Sequence, residues 1–183
     1  MKKSLLTIMA ITLNTVMFSQ IYMAKTCEIN LFSAAPLENI EAVNKAAKPL
    51  INTATNDVQV KVVITAFVFE KPLMQEHFNE NYMESDKFPN AFFKGKINEK
   101  INWTKDGEYK VTVTGKLTMH GIEKDRTIDG VVKINGSQIN ISSKFNVHIA
   151  DHKIEVPSLY VQNVAEDVEI KLNATLEPYK KTN

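Results

Sequence analysis

The sequence predicts an all-β domain: an up-and-down antiparallel barrel, or a strongly curved sheet, with one short inserted helix. Three observations carry that expectation. Apolar and polar residues alternate with period two over most of the chain after residue 56. The alternating segments run about ten residues each and are joined by short turns, the pattern of hairpins laid side by side. One segment, Lys71–Met83, switches to helical spacing. A length of 183 residues suits one domain with a real core. With 22 Lys+Arg against 21 Asp+Glu there is no basic surplus for a phosphate backbone, so a nucleic-acid partner is not expected. A single cysteine excludes a disulfide framework and a multi-cysteine metal cage.

In chain order, Lys2 and Lys3 precede an apolar run from Leu5 to Phe18, which reads as an export signal over residues 1–20. The run is short and interrupted by Thr and Asn, unlike a membrane anchor. Its removal takes away two of the 22 basic residues and none of the 21 acidic ones, so the formal net charge moves from +1 to −1. A periplasmic, secreted domain over 21–183 is expected. Ala24, Lys25 and Thr26 are not the small apolar set that precedes a lipid-anchored cysteine, so Cys27 reads as a packed residue of a first strand, Cys27–Phe32. Ile40–Asn52 fits either a helix or two short strands.

Val58, Val60, Val62 and Ile64 share one face, with Gln59 and Lys61 on the other. In Lys71–Met83, Pro72 suits a first helical turn, and Met74, Phe78 and Tyr82 fall at i, i+4 and i+8. That stripe is either core or a lid over a barrel mouth. Phe93, Ile97, Ile101 and Trp103 share parity and predict a strand running through Trp103. Tyr109, Val111, Val113, Leu117 and Met119 follow, then Glu123–Ile134. Ile139, Ile141, Phe145 and Val147 come next, and Val168, Ile170, Leu172, Ala174 and Leu176 close the chain. Asp106-Gly107 and Asn135-Gly136 read as hairpin turns, and His120-Gly121 separates two further strands.

Chemistry is sparse. His148 and His152 have metal-ligand spacing only on a helix, so off one they read as solvated loop residues. His77 lacks the second histidine of a zinc-protease helix, and His120 has no carboxylate nearer in sequence than Glu123. There is no nucleophile elbow and no phosphate loop, and Cys27 has no adjacent base. Neither a catalytic residue nor a metal is expected. The inward parities supply Val60, Val62, Ile64, Phe93, Ile97, Tyr109, Val111, Val113, Leu117, Phe145, Val147, Ile170 and Leu172. An eight-stranded barrel is either filled by such side chains or holds one ligand, and the many valines leave room.

Four passages, in order, resemble the YceI-like family of bacterial polyisoprenoid-binding proteins. They are the stretch Phe67–Ser85, Lys87–Lys96 (the family's "yPxaxFkg"), Val113–Ile122 ("GxLTxhGv") and Phe145–Asp151 followed by Ile154 ("FxVxxxD…I"). The resemblance spans roughly Thr26 to Tyr179. It implies an extended lipocalin-like antiparallel β-barrel around a hydrophobic tunnel that holds a long isoprenoid, a quinone or polyprenyl, or a similar amphipathic lipid. Phe69, Met74, Phe78 and Tyr82 then join the inward residues other than Ile97 and Tyr109 as the fifteen ligand neighbours. No cofactor is implied beyond such a bound lipid. A non-enzymatic carrier or store is the expected function, with transient membrane contact and a homodimer as further partners. A packed barrel acting through its surface in stress response, or an enzyme using His77 on a lipid-like substrate, are the alternatives. The chain departs from the family at Asn146–Asp151, which lacks the arginine and the following glycine of the late strand, so head-group contacts do not carry over.

Overall fold

The computed structural model describes residues 20–34, 39–156 and 165–179. The export segment expected over 1–20 lies outside them, apart from Gln20. Among the described residues there are ten strands: β1 (Ile21–Ala34), β2 (Asn39–Asn44), β3 (Lys48–Asn52), β4 (Asp57–Val63), β5 (Phe67–Phe69), β6 (Asn90–Ile97), β7 (Gly107–Met119), β8 (Ile122–Asn135), β9 (Gln138–His148) and β10 (Asp167–Pro178). Helix α1 (Pro72–His77) continues as a π-helical turn, Phe78–Tyr82, between β5 and β6.

The ladder runs β10-β9-β8-β7-β6-β4-β3-β1, and β10 pairs back onto β1, so the sheet closes into an antiparallel barrel. Closure removes the unpaired edges that strands of this length would otherwise present. Two staves of the barrel are each made of two pieces. β3 pairs with the start of β1 and β2 with its end, while β4 pairs with β3 and β5 with β2. Asn44 ties the two breaks together. Fully buried at 0% exposure, its Nδ2 donates to the Val63 carbonyl (2.8 Å) and its Oδ1 accepts from Ala46 N–H (2.9 Å). The ambiguous stretch Ile40–Asn52 is thereby two short strands. Asn44→Ala leaves the Val63 carbonyl and the Ala46 amide unpaired. It is expected to cost about 1–3 kcal/mol, read as a lower urea midpoint with an unchanged slope.

The turns explain several registers and correct others. Met119 pairs with Ile122, so His120 (φ 50°) and Gly121 (φ 72°) form a two-residue turn with both residues left-handed, the I′ geometry that matches strand twist. Asn135 still pairs with Gln138, so the β8–β9 turn is centred on Gly136-Ser137 and not on Asn135-Gly136. Only Gly136 (φ 58°) is left-handed there, as type II′ requires. Asp106-Gly107 is not a hairpin: Gly107 opens β7, and Asp106 Oδ1 instead accepts from Gly136 N–H across the barrel end (2.8 Å).

β6 also stops at Ile97, short of the strand expected through Trp103. The alternation of residues 98–103 is carried by a loop whose polar members are spent on β7. Asn98 Nδ2 donates to Thr112 and Thr114, and the Glu99 carboxylate accepts from Thr112 N–H (2.8 Å) and hydroxyl (2.9 Å). Those contacts draw the Glu99 carboxyl below its ordinary value, the Thr112 amide first. Ile101 and Trp103 still pack on the core, with Trp103 Nε1 donating to Asn56 Oδ1 (2.9 Å).

The core is uneven along the barrel axis. At the end formed by the start of β1 and the end of β10, Leu176 (0% exposed), Ile139 (1%) and Ile51 (1%) interlock with Ile97 and Ile134. Towards the other end, Leu31, Val60, Val62, Phe93, Val113, Phe145 and Ile170 have inward parity yet are only half-buried. They face empty space.

Candidate functional site

That space is a cavity of about 240 Å³ along the barrel axis. Its floor is the packed end: Ile51, Ile97 and Val132 line it, while Ile134, Ile139, Cys27, Ala174 and Leu176 lie beneath and do not. The interior is therefore an apolar pocket closed at that end. Strand parity delivers its wall. Val60, Val62 and Ile64 come from β4 and the 3-10 turn after it, Phe69 from β5, and Phe93 from β6. Val111, Val113 and Leu117 come from β7, Phe145 and Val147 from β9, and Ile170 and Leu172 from β10. Met74, Phe78 and Tyr82 come from α1 and its π-helical turn. All fifteen residues expected at the ligand thus lie on one wall.

The sequence reading missed Ile29, Leu31 and Ser33 of β1, whose alternation begins before the region where the pattern is strong. It also missed Ile128, Ile149 and Ile154. Ile149 and Ile154 flank a 3-10 turn, where period two gives no signal. The wall is apolar throughout, with side-chain polarity confined to Ser33, Tyr82, Asp129, Ser142 and Ser143. The Ser33 hydroxyl is already occupied, accepting from Ala165 N–H (2.9 Å). Such a wall attracts apolar chain through burial and offers it little else.

The helical segment closes one side. Lys71 is extended and Pro72 occupies the first helical position, where its missing N–H costs nothing. Phe78 then meets Phe67 edge-on (ring centroids 5.5 Å) and Phe69 at a tilt (4.9 Å). The Met74, Phe78 and Tyr82 stripe is both packing and cavity wall, so the two alternatives for it merge. Beyond it Met83 joins Ile64, Ala91 and Ile154 in a second apolar cluster at the mouth.

Two histidines hold this mouth together, contrary to expectation. His120 Nε2 lies 3.0 Å from a Glu84 carboxylate oxygen, and its Nδ1 lies 3.0 Å from the His152 carbonyl. The turn after the helix, the β7–β8 turn and the 149–152 turn are thus joined through one ring, which Phe88 packs edge-on at 4.7 Å. His152 is no solvated loop residue. It is 1% exposed beneath the β7–β8 turn, with Nδ1 at 3.2 Å from the Ile122 carbonyl. Its local sequence, Asp-His-Lys, is polar, but tertiary packing buries the ring. His148 does remain partly exposed, beside Asp167 (3.2 Å).

Burial holds the His152 imidazole below its ordinary value of 6.5, outweighing the Ile122 and Met119 carbonyls that favour the cation. The Glu84 carboxyl is held below its ordinary 4.5, first by Lys87 and then by His120. The signs agree. The unfolded chain binds a proton at His152 more readily than the fold does, so that contribution is complete above pH 6.5 and is lost as pH falls below it. The Glu84 contribution is complete above pH 4.5 and is lost in stronger acid. The urea midpoint is expected to fall between about pH 7.5 and about pH 5.5. His152→Gln should flatten that fall, and an equal fall in both proteins would place the sensitivity elsewhere.

Burial also pushes the Cys27 thiol up to about 11, which keeps it protonated and unreactive at neutral pH. Among the described residues no group of three or more His, Cys, Asp or Glu is placed to hold a metal ion.

Comparison with known proteins agrees with this geometry. No curated protein sequence matches the chain. Among solved structures, a polyisoprenoid-binding domain from Saccharophagus degradans superposes with a TM-score of 0.75 at 13% identity, covering 87% of this chain and 99% of that one. BcnA of Burkholderia cenocepacia gives 0.68 at 17% identity, covering 81% and 95%. The YceI protein of Campylobacter jejuni gives 0.57 at 16%, covering 98% and 100%. At these identities the likeness is one of fold. The sequence itself goes further, because the YceI-like domain model matches residues 25–176, from the first strand of the barrel to the last. With its closed barrel, inserted helix and apolar interior, the chain belongs to the YceI-like domain family.

Proposed function

We propose that the protein binds a long-chain amphipathic lipid of the isoprenoid class, a quinone or polyprenyl, and serves as a periplasmic carrier or store without catalysing a reaction on it. One observation carries the reading: a blind, apolar pocket whose lining residues face inward yet remain half-buried. A barrel built only for stability would fill that space. The polyisoprenoid-binding name of the Saccharophagus domain, which shares the fold, supports the same ligand class. Each CH₂ moved from water into such a pocket contributes about 0.8 kcal/mol, so ten contribute roughly 8 kcal/mol before ordering costs. No charged anchor is needed for useful affinity. Val68 of β5 and Leu73 of α1, both exposed, suit brief contact with the membrane from which a lipid would load.

The test is solvent extraction and native mass spectrometry of the protein purified from its periplasmic fraction. A co-purifying long-chain lipid, displaced by added farnesol, is expected. A protein without lipid that takes up no fluorescent isoprenoid would leave the barrel a structural module.

A further inference from the structure

The barrel wall loosens where β8 meets β9. The β8–β9 ladder runs only from Asn135↔Gln138 to Gly130↔Ser143. Beyond it, residues 122–129 of β8 face residues 144–148 of β9 across a slit at the mouth end. The Ser143 hydroxyl donates to the Asp129 carbonyl at the slit's inner end (2.6 Å). Asp129, Gly130, Ser142 and Ser143 there line both the interior cavity and a groove on the outer surface. The wall is one backbone thick at this point, and Gly130, of inward parity, adds no side chain to it.

The strand beside the slit changes character with it. Elsewhere β8 puts apolar residues inward, at Ile128, Val132 and Ile134. From residue 123 to 126 it alternates charge instead. Glu123, Asp125 and Asp129 lie on the outer parity, and Lys124 and Arg126 on the inner. Two of these outer acids share a partner, since Lys116 reaches Glu123 (2.6 Å) and Asp125 (4.0 Å). The inner cations have no carboxylate partner among the described residues. Arg126 donates to the Asn146 carbonyl across the slit, leaving most of its guanidinium donors unspent. It is the single arginine of a chain that otherwise uses lysine for positive charge. Opposite it on β7 stands Gly115, so no side chain crowds it from that strand. Asn146 stands between Phe145 and Val147 of the cavity wall, so this planar fork of donors lies at the edge of that wall, where it matches a carboxylate or a phosphate.

We propose that this slit is the head-group site of the cavity and that Arg126, aided by Lys124, selects amphiphiles with an anionic head over neutral ones on the same tail. The proposal rests on the lipid-binding reading above and narrows its ligand class. Arg126 also bridges the slit mechanically, so the test must separate recognition from support.

Three probes sharing one tail do so: farnesyl monophosphate, farnesoic acid and farnesol, measured by displacement of a fluorescent isoprenoid. Wild type is expected to prefer one or both anionic probes over farnesol by about tenfold or more, the arm that wins telling phosphate from carboxylate. Arg126→Gln should reduce that preference to under about threefold while leaving farnesol affinity unchanged, and Arg126→Lys should restore part of it. Lys124→Gln, on an exposed residue that does not endanger folding, should lower the preference by about twofold to threefold. A preference that persists in both Gln variants, or an equal loss for all three probes, overturns the head-group site while lipid binding stands. Failure of wild type to bind any probe overturns the lipid reading itself.

Discussion

Val113→Trp is expected to abolish uptake of a fluorescent isoprenoid, weakening it by at least about tenfold, while the barrel stays folded. Val113 lies midway along β7 with inward parity, between Ile97 of β6 and Ile128 of β8 in the ladder, and is only half-buried because it faces the cavity. An indole in place of two methyl groups therefore grows into empty space. In a close-packed interior the same enlargement strains the fold by about 1–3 kcal/mol, which the cavity here spares. The ligand, in contrast, loses the depth below residue 113 and the burial that came with it. The checks are a displacement titration and a thermal melt on the same sample. Undiminished uptake with a normal melt would show that the ligand does not occupy this cavity.

Leu176→Ala should do the reverse, harming the fold most and leaving ligand selectivity alone. Leu176 has no exposed surface and locks the floor of the barrel, paired with Ile139 on β9 and Ala24 on β1. Truncation there combines lost burial with a void that the closed sheet cannot collapse. The expected cost is about 3 kcal/mol, a fall in Tm of about 6–12 °C. Val60→Ala, on the cavity wall, should cost no more than about 1 kcal/mol, since its methyls already lack full packing. Equal losses at the two positions would mean that the interior is packed from end to end.

The contrast between floor and wall also shows what could be read from the residues alone. β7, β8, β9 and β10 announce themselves because long hairpins with one wet face repeat every second residue. Parity carries Val111, Phe145 or Ile170 to the wall, though it says nothing of how deep the wall runs or what fills it. The broken staves could not be read that way. Whether Ile40–Asn52 is a helix or two strands depends on Asn44 reaching Val63, nineteen positions away. Ile101 and Trp103 keep strand parity in a loop, because a side chain can find the core without a ladder beneath it. His120 and His152 sit in polar local sequence, and only tertiary packing brings the first to Glu84 and buries the second. Arg126 looks like any surface charge until the end of the β8–β9 ladder opens the wall beside it.

That slit has a second consequence, for solubility. It gives the barrel two short lengths of free strand edge, the feature by which β-proteins recruit one another into aggregates. The charges on β8 between Glu123 and Asp129, together with Lys144 on β9, line those edges. A second chain trying to add a strand there would have to strip water from alternating charges of both signs. Arg126, held across the gap to Asn146, also stands where the intruding backbone would run. A gap bridged and charged in this way refuses an incoming strand.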